Sequence, residues 1–226
     1  ASIGRLAAGV AHEIGNPVTA IACLAQNLDS ETDAEEQLES SQQILEQTRR
    51  ITRIVESLVT FSHSGGIKHS QHVPVNIRDT VDEAVSLLLL DPDHRQQPFN
   101  NQCEPEHWVQ GDPQRLLQVF INLLGNAADA SADKQPVIIR CEAADEVLDV
   151  IVEDQGHGIP DELRDALFEP FVTSKPPGRG TGLGLALVYS IIEEHLGAIR
   201  VESPITEQGG TRFIIRLPMH APTSGV

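Results

Sequence analysis

ASIGRLAAGVAHEIGNPVTAIACLAQNL, residues 1–28, repeats its apolar side chains every seven positions. Ala7, Ile14, Ile21 and Leu28 form one row, with Ile3, Val10, Pro17 and Leu24 on the row beside it. Seven-residue spacing on two adjacent rows marks a helix that packs lengthwise against other helices. The next residues, DSETDAEE, supply turn formers and acidic groups suited to the first turn of a new helix. A second stripe follows: Leu38, Ile44, Leu45, Ile51, Ile54, Val55, Leu58 and Val59. Two helices of roughly 28 residues, each ~40 Å long at the helical rise and joined by a short turn, predict an antiparallel hairpin. A lone hairpin cannot cover two such stripes, so dimerisation into a four-helix bundle is expected.

Inside the first stripe, His12-Glu13 and Asn16-Pro17 fall within one and a half turns. With Ala7, Ile14 and Ile21 on the seam, His12 takes an outward position and Asn16 shares its patch at i+4. Pro17 removes one N–H and clashes with the carbonyl of Glu13, which predicts a kink. Gly15 loosens the same turn by about 1 kcal/mol relative to Ala. The turn reads as one built to be reached and deformed by a partner. A single surface histidine proves little alone; its weight depends on the rest of the chain.

The chain has 226 residues and a net charge of −17. So acidic a chain is a poor nucleic-acid binder, since phosphate contacts need clustered Lys and Arg. It offers no basic amphipathic segment and no apolar run near bilayer length, so no membrane contact is expected of these residues. It begins at Ala1 in mid-pattern and without a signal-peptide layout, which predicts a piece of something longer. Cys23, Cys103 and Cys141 are far apart and odd in number, the usage of reduced cytosolic thiols without a disulfide framework or zinc set.

SHSGGIKHSQH, residues 62–72, reads as a polar linker around Gly65-Gly66, and beyond it the pattern turns to mixed α and β. Residues 77–90 and 113–131 read as helices, and 137–143 with 147–154 as a strand hairpin. GLGLALVYSIIEEHLG predicts a helix ending at Gly197, and IRVES and TRFIIRL a second hairpin that closes the sheet. The expected organisation is a hairpin domain over 1–63, a linker over 64–72, an α/β domain over 73–220 and a tail over 221–226.

Three motifs in the second half carry chemistry. QVFINLLGNAADAS, residues 118–131, lines up Asn122, Asn126 and Asp129 on one helical face. Oxygen donors in a row suit a hydrated Mg²⁺, which takes few protein ligands. VEDQGHGIP, residues 152–160, ends a strand in Asp154 and then turns on Gly156 and Gly158, so the backbone can approach a ligand closely. An acid there can accept from an exocyclic amine such as adenine N6. TSKPPGRGTGLGLALVYSII, residues 173–192, opens a helix with Gly180, Gly182 and Gly184 behind Lys175 and Arg179, an arrangement that suits phosphate. It is neither a Walker A loop nor a dinucleotide fingerprint.

In order and spacing, HEIGNP, NLLGNAADA, DQGHGIP, LFEPF and GTGLGL resemble the H, N, G1, F and G2 boxes of sensor histidine kinases. The resemblance runs from residue 2 to about 218. It implies a homodimeric helical hairpin for phosphotransfer, followed by an ATP-binding α/β sandwich of the Bergerat type. Carried over, His12 is the phospho-acceptor, Glu13 the base beside it, and Asn16 the residue that orients water when a phosphorylated partner is hydrolysed. Asn126 is the Mg²⁺ ligand, Asn122 lies near the phosphates, and Asp154 reads adenine in a pocket shaped by Gly156, Gly158 and Ile159. Phe168 and Phe171 sit in the F box. Residues 172–183 form a short lid, which adds Lys175, Arg179, Gly180, Thr181, Gly182 and Leu183 to the nucleotide set, with Gly184 opening the helix behind it. The implied activity is ATP-dependent phosphorylation of His12, then transfer to an aspartate of a response-regulator receiver domain, with a phosphatase activity beside it. The implied location is the cytoplasm, with inner-membrane anchorage of a full-length protein.

Two positions depart from the pattern. Asp129 stands where many relatives carry a basic residue, so Lys175 and Arg179 are expected to supply that charge. Gly15 stands where a larger or basic residue is common. The related gyrase, chaperone and mismatch-repair ATPases carry a glutamate four residues before the Mg²⁺ asparagine; here that position is Asn122, which cannot serve as a base. His63, His69 and His72 match no metal-ligand spacing well, His157 reads as a pocket-rim residue, and Cys23 as a small packed side chain.

Overall fold

A computed structural model describes residues 2–28, 33–64, 72–131, 135–176 and 180–219. The linker residues 65–71 and the tail 220–226 lie outside the described residues. The chain divides into two compact units. One comprises Ala1–Gly65 with Glu169–Leu183, the other Gly66–Phe168 with Gly184–Val226.

The first unit holds two long helices, α1 (Ser2–Leu28) and α2 (Ala34–Ser64). Asp33 starts α2: its side chain accepts from the Glu35 N–H at 2.8 Å, and Glu35 and Glu36 place negative charge where the helix dipole favours it. Helix α1 runs unbroken through Pro17. The expected seam is the covered one: Pro17 is buried, and Val10, Ile14, Ile21 and Leu24 are half-buried. On α2, Ile54 is buried and Ile44, Ile51 and Leu58 are half-buried, while Leu38, Leu45, Val55 and Val59 stay exposed. A single hairpin therefore leaves part of the second stripe in water.

The second unit is a two-layer α/β sandwich. Strands β1 (Val73–Asn76) and β3 (Trp108–Gly111) form a small antiparallel pair. The main sheet contains β2 (Phe99–Asn101), β4 (Val137–Ala144), β5 (Val147–Asp154), β6 (Ala198–Glu202) and β7 (Thr211–Pro218), in the order β2-β4-β5-β7-β6. Among the described residues only β2-β4 is parallel. Helices α3 (Ile77–Leu88), α4 (Pro113–Ala130) and α6 (Gly184–Glu194) supply the other side of one core, which joins Val81, Phe120, Leu124 and Ile191 to Leu148, Val150, Val152 and Ile215. A one-turn helix, α5 (Asp161–Arg164), lies in the loop after β5. Caps explain where the helices begin: Asp112 accepts from the Gln114 and Arg115 N–H groups ahead of Pro113, and Asn76 accepts from Asp79.

Strand β5 sets up the site. Its residues alternate between faces, so Leu148, Val150 and Val152 enter the core and the next residue on that row is Asp154. The apolar row ends in a buried carboxyl group.

Several expectations change. Strands β1, β2 and β3 and helix α5 are additional, being too short to show a period. The helix expected up to Gly197 ends earlier, and the left-handed residue after it is Leu196 (φ 56°). Gly197 is needed instead because a Cβ there would lie 2.5 Å from the Arg216 carbonyl oxygen on β7. Cys103 and Cys141 form a disulfide, contrary to the expectation of free thiols. The parallel register Asn101↔Ile139 continues two residues on to this pair, so the sheet closes a separation of 38 residues. Cys23 is exposed rather than packed. Among the described residues no helix is long and apolar enough to cross a membrane.

Candidate functional site

In the first unit, His12 and Asn16 lie one turn apart on α1, Asn16 exposed. The His12 side chain is outside the described residues. Glu13 does not sit idle beside it: Arg50 Nη2 on α2 donates to Glu13 Oε2 at 3.0 Å, with both side chains largely shielded. Glu13 and Arg50 are nearly equidistant from the turn joining the helices, as antiparallel packing requires. Gly15 is exposed, and a Cβ there would meet nothing within 4 Å. Thr19 Oγ1 donates to the Gly15 carbonyl at 2.9 Å, which occupies a main-chain acceptor beside the proline.

The segment Glu169–Leu183 belongs to this unit and closes on itself. The Phe171 N–H donates to the Gly182 carbonyl at 2.8 Å. Both residues are left-handed, Phe171 at φ 70° and Gly182 at φ 63°. Gly182 also has no space for a Cβ against the Phe171 backbone. The Phe171 ring lies against Gly9 of α1, where a Cβ would be 2.5 Å from Cδ2. Thr173 Oγ1 accepts from the Lys175 N–H at 3.1 Å, and a Cβ on Gly180 would meet that same oxygen at 2.6 Å. Leu183 is buried, with its N–H 3.4 Å from Thr181 Oγ1. Arg179 lies outside the described residues.

In the second unit, Asp154 is 3% exposed, and its Oδ1 accepts from the Gly156 N–H at 2.9 Å and the Thr211 N–H at 3.2 Å. Burial raises its pKa above the ordinary carboxylate value, and those two bonds only partly offset the effect. Both bonds end on Oδ1, so Oδ2 is the oxygen left to accept from a ligand. Gly156 backs directly onto the Ala130 carbonyl at the end of α4, where any side chain would collide. Gly158 is left-handed at φ 78°, and the Ile159 N–H donates to Ser203 Oγ at 2.8 Å. Ser203 Oγ in turn donates to the Gly210 carbonyl at 3.0 Å, so one hydroxyl ties the loop after β5 to the turn before β7. His157 is exposed on the rim, its Nδ1 2.7 Å from the Gly158 carbonyl.

On α4, Asn122 and Asn126 are half-buried and Asp129 is exposed. Asn122 Nδ2 donates to the Gln118 carbonyl at 3.0 Å, while its Oδ1 would lie 3.0 Å from a Cβ on Gly184. The start of α6 thus abuts the asparagine. Asp129 Oδ1 lies 3.0 Å from His94 Nε2, a neighbour that sequence reading did not name. Phe168 is half-buried with its ring centroid 5.6 Å from that of Tyr189.

The residues fit an adenine nucleotide. A buried acceptor stands at a strand end, Gly156 and Gly158 after it let the backbone pack closely, and Asn122, Asn126 and Asp129 share one helix face. The oxygen-only donors suit Mg²⁺, which keeps much of its water. No group of three His, Cys, Asp or Glu residues able to hold a metal occurs among the described residues.

Arg50, His94 and Ser203 were missed in the sequence. Arg50 had a signal, its distance from the helix turn matching that of Glu13. His94 and Ser203 act across the fold and had none.

Two family models match. Residues 2–66 match the His Kinase A (phospho-acceptor) domain, and 111–221 match the histidine kinase-, DNA gyrase B- and HSP90-like ATPases. Sensor histidine kinase ZraS of Salmonella typhi is 35% identical over 223 residues, which is 97% of this chain and 46% of the relative. Sensory histidine kinase/phosphatase NtrB of Rhodobacter capsulatus is 35% identical over 232 residues, covering 93% of this chain and 60% of the relative. The chain thus spans about half the length of these curated relatives. Among solved structures, a mycobacterial sensor histidine kinase, MprB, is 32% identical with a TM-score of 0.60, matching 66% of this chain and 98% of that one. Histidine kinase ThkA, solved in complex with response regulator protein TrrA, is 28% identical with a TM-score of 0.78, matching 96% of this chain and 62% of that one.

Proposed function

The chain belongs to the sensor histidine kinase family, and on that premise we propose that it is an ATP-dependent kinase that phosphorylates its own His12. The reading rests above all on one observation: the buried, half-satisfied Asp154 before a glycine cradle, in the same chain as a hairpin bearing His12-Glu13. Asp154 Oδ2 accepts from the adenine amine, Gly156, Gly158 and Ile159 shape the space around it, and Asn122 meets the phosphates. Gly180, Thr181, Gly182, Leu183 and Gly184 offer main-chain N–H groups to the phosphates, with Lys175 and Arg179 adding positive charge. Asn126, with Asp129 near it, would hold Mg²⁺, which would supply neutralisation of phosphate charge.

Glu13 accepts the Nδ1 proton of His12, which leaves Nε2 to attack the γ-phosphorus as ADP departs. The phosphoryl group then passes to an aspartate of a receiver domain docked near Gly15 and Asn16. Support for that partner comes from ThkA, solved in complex with a response regulator. Asn16 orients water for the reverse task, a phosphatase activity of the kind named for NtrB. The exposed Leu38, Leu45 and Val55 on α2 favour a homodimer through the hairpin. The segment works in the cytoplasm, where ATP and receiver domains meet it. Hydrolysis as the main activity is disfavoured, because Asn122 stands where a water-activating glutamate would be needed.

The test is incubation with γ-labelled ATP and Mg²⁺, followed by acid and base treatment, with His12→Ala alongside. Acid-labile, base-stable label that is lost in His12→Ala is the expected result. Label that survives the substitution removes the acceptor assignment.

A further inference from the structure

Adjacent residues on a helix do not face each other, so a glutamate next to a histidine has no built-in aim at its ring. Here Pro17 makes the problem worse. It lacks the N–H that would bond the Glu13 carbonyl, and Gly15 lies between the two, so the main chain ties this turn down poorly. What fixes Glu13 in the structure is the neighbouring helix. Arg50 Nη2 holds Glu13 Oε2 at 3.0 Å in a half-buried pair, at 14% and 27% side-chain exposure, that spans α1 and α2. The contact uses one carboxylate oxygen, leaving Oε1 as the second acceptor of the same group.

We propose that Arg50 is the positioning residue for Glu13 in phosphorylation of His12, which rests on the kinase reading above. Arg50 anchors Oε2 so that Oε1 can accept the Nδ1 proton of His12 while Nε2 forms the bond to phosphorus and the bond to ADP breaks. The proton then leaves Glu13 for solvent. The guanidinium acts through its bond to Glu13, so its effect falls on the rate of the step and not on the binding of ATP.

The experiment uses the full 226-residue chain and measures kcat and KM for ATP in His12 labelling, for wild type, Arg50→Gln, Arg50→Lys, Glu13→Gln and the double variant Arg50→Gln/Glu13→Gln. Arg50→Gln is expected to lose about 10- to 100-fold in kcat with KM unchanged within about twofold, the signature of an interaction felt in the transition state. Arg50→Lys, which keeps the charge, returns to within about fivefold of wild type. The double variant falls no further than Glu13→Gln alone, because the two residues act as one unit. If Arg50→Gln loses the fold by circular dichroism, Arg50→Met keeps the stem and carries the same expectations. The proposal is overturned by full or raised labelling in Arg50→Gln, by Arg50→Lys no better than Gln, or by additive losses in the double variant. A wild type that takes no label sinks the kinase reading itself, and label retained in His12→Ala removes the acceptor assignment, results distinct from any of these.

Discussion

Asp154→Asn separates binding from folding at the candidate nucleotide site. The side chain is buried at a strand end, and its Oδ1 accepts from Gly156 and Thr211, bonds an asparagine oxygen can retain. The other end of the group changes from an acceptor into a donor, which would face the donor amine of adenine. A hydrogen bond to a charged acceptor contributes about 1.5–3 kcal/mol, so ATP should bind roughly 10- to 150-fold more weakly at about 1.4 kcal/mol per decade. Stability responds differently. Because burial raises the Asp154 pKa, the folded state keeps this proton to higher pH than the unfolded chain does. Wild-type stability therefore falls as pH rises from the ordinary carboxylate value through the raised one, and the cost persists above it. The asparagine side chain does not titrate and lacks that slope, so the variant gains relative to wild type on going from about pH 4, near the ordinary carboxylate value, to neutral pH. Calorimetric titration with a non-hydrolysable ATP analogue and thermal melts across pH read the two effects. Unchanged affinity with an intact fold would refute the assignment of Asp154 as the adenine acceptor.

Three further outcomes follow from local geometry. Reducing Cys103–Cys141 opens a loop of 38 residues, which in the loop-entropy model costs about 4 kcal/mol; denaturation with and without reductant measures it, and coincident curves would exclude a formed disulfide. His195 is buried and neutral, its Nε2 accepting from the Asp112 N–H at 3.0 Å and its Nδ1 donating to the Ile191 carbonyl at 2.7 Å. Burial lowers its pKa, so its contribution is whole above the ordinary histidine value near 6.5 and is lost as pH falls below it; His195→Gln should flatten that limb of a melting-temperature profile. Leu196→Gly relieves a left-handed leucine that is 85% exposed and should stabilise the fold by about 0.5–1 kcal/mol in urea unfolding.

The parts legible in the sequence were those with a long period or a local chemical signature. Helices α1 and α2 repeat their stripes over many turns, and α4 and β5 carry unambiguous 3.6- and 2-residue patterns. Asp154 was readable because it is an acid at a strand end followed at once by Gly156 and Gly158. Strands β1, β2 and β3 span only three or four residues; they exist because a partner backbone is present, which no local pattern records. The disulfide was misread for the same reason: a separation of 38 residues means nothing until β2 and β4 pair in parallel. Ser203 is 44 residues from the N–H it accepts, and only the folded sheet edge brings them together.

Glycines show how a right position can carry a wrong reason. Gly197 was expected to end a helix, yet the structure gives the left-handed conformation after α6 to Leu196 and uses Gly197 for contact with β7. Gly15 is the opposite case. It has open space around it and no contact that needs glycine, so packing does not account for its presence in a helix where alanine would be better by about 1 kcal/mol. With Pro17 two residues on, the turn after His12 has given up main-chain rigidity twice, and of the two residues only the proline is buried. The rigidity that a proton transfer requires must then come from elsewhere, and Arg50, bonded across the hairpin to Glu13, is the contact there to supply it.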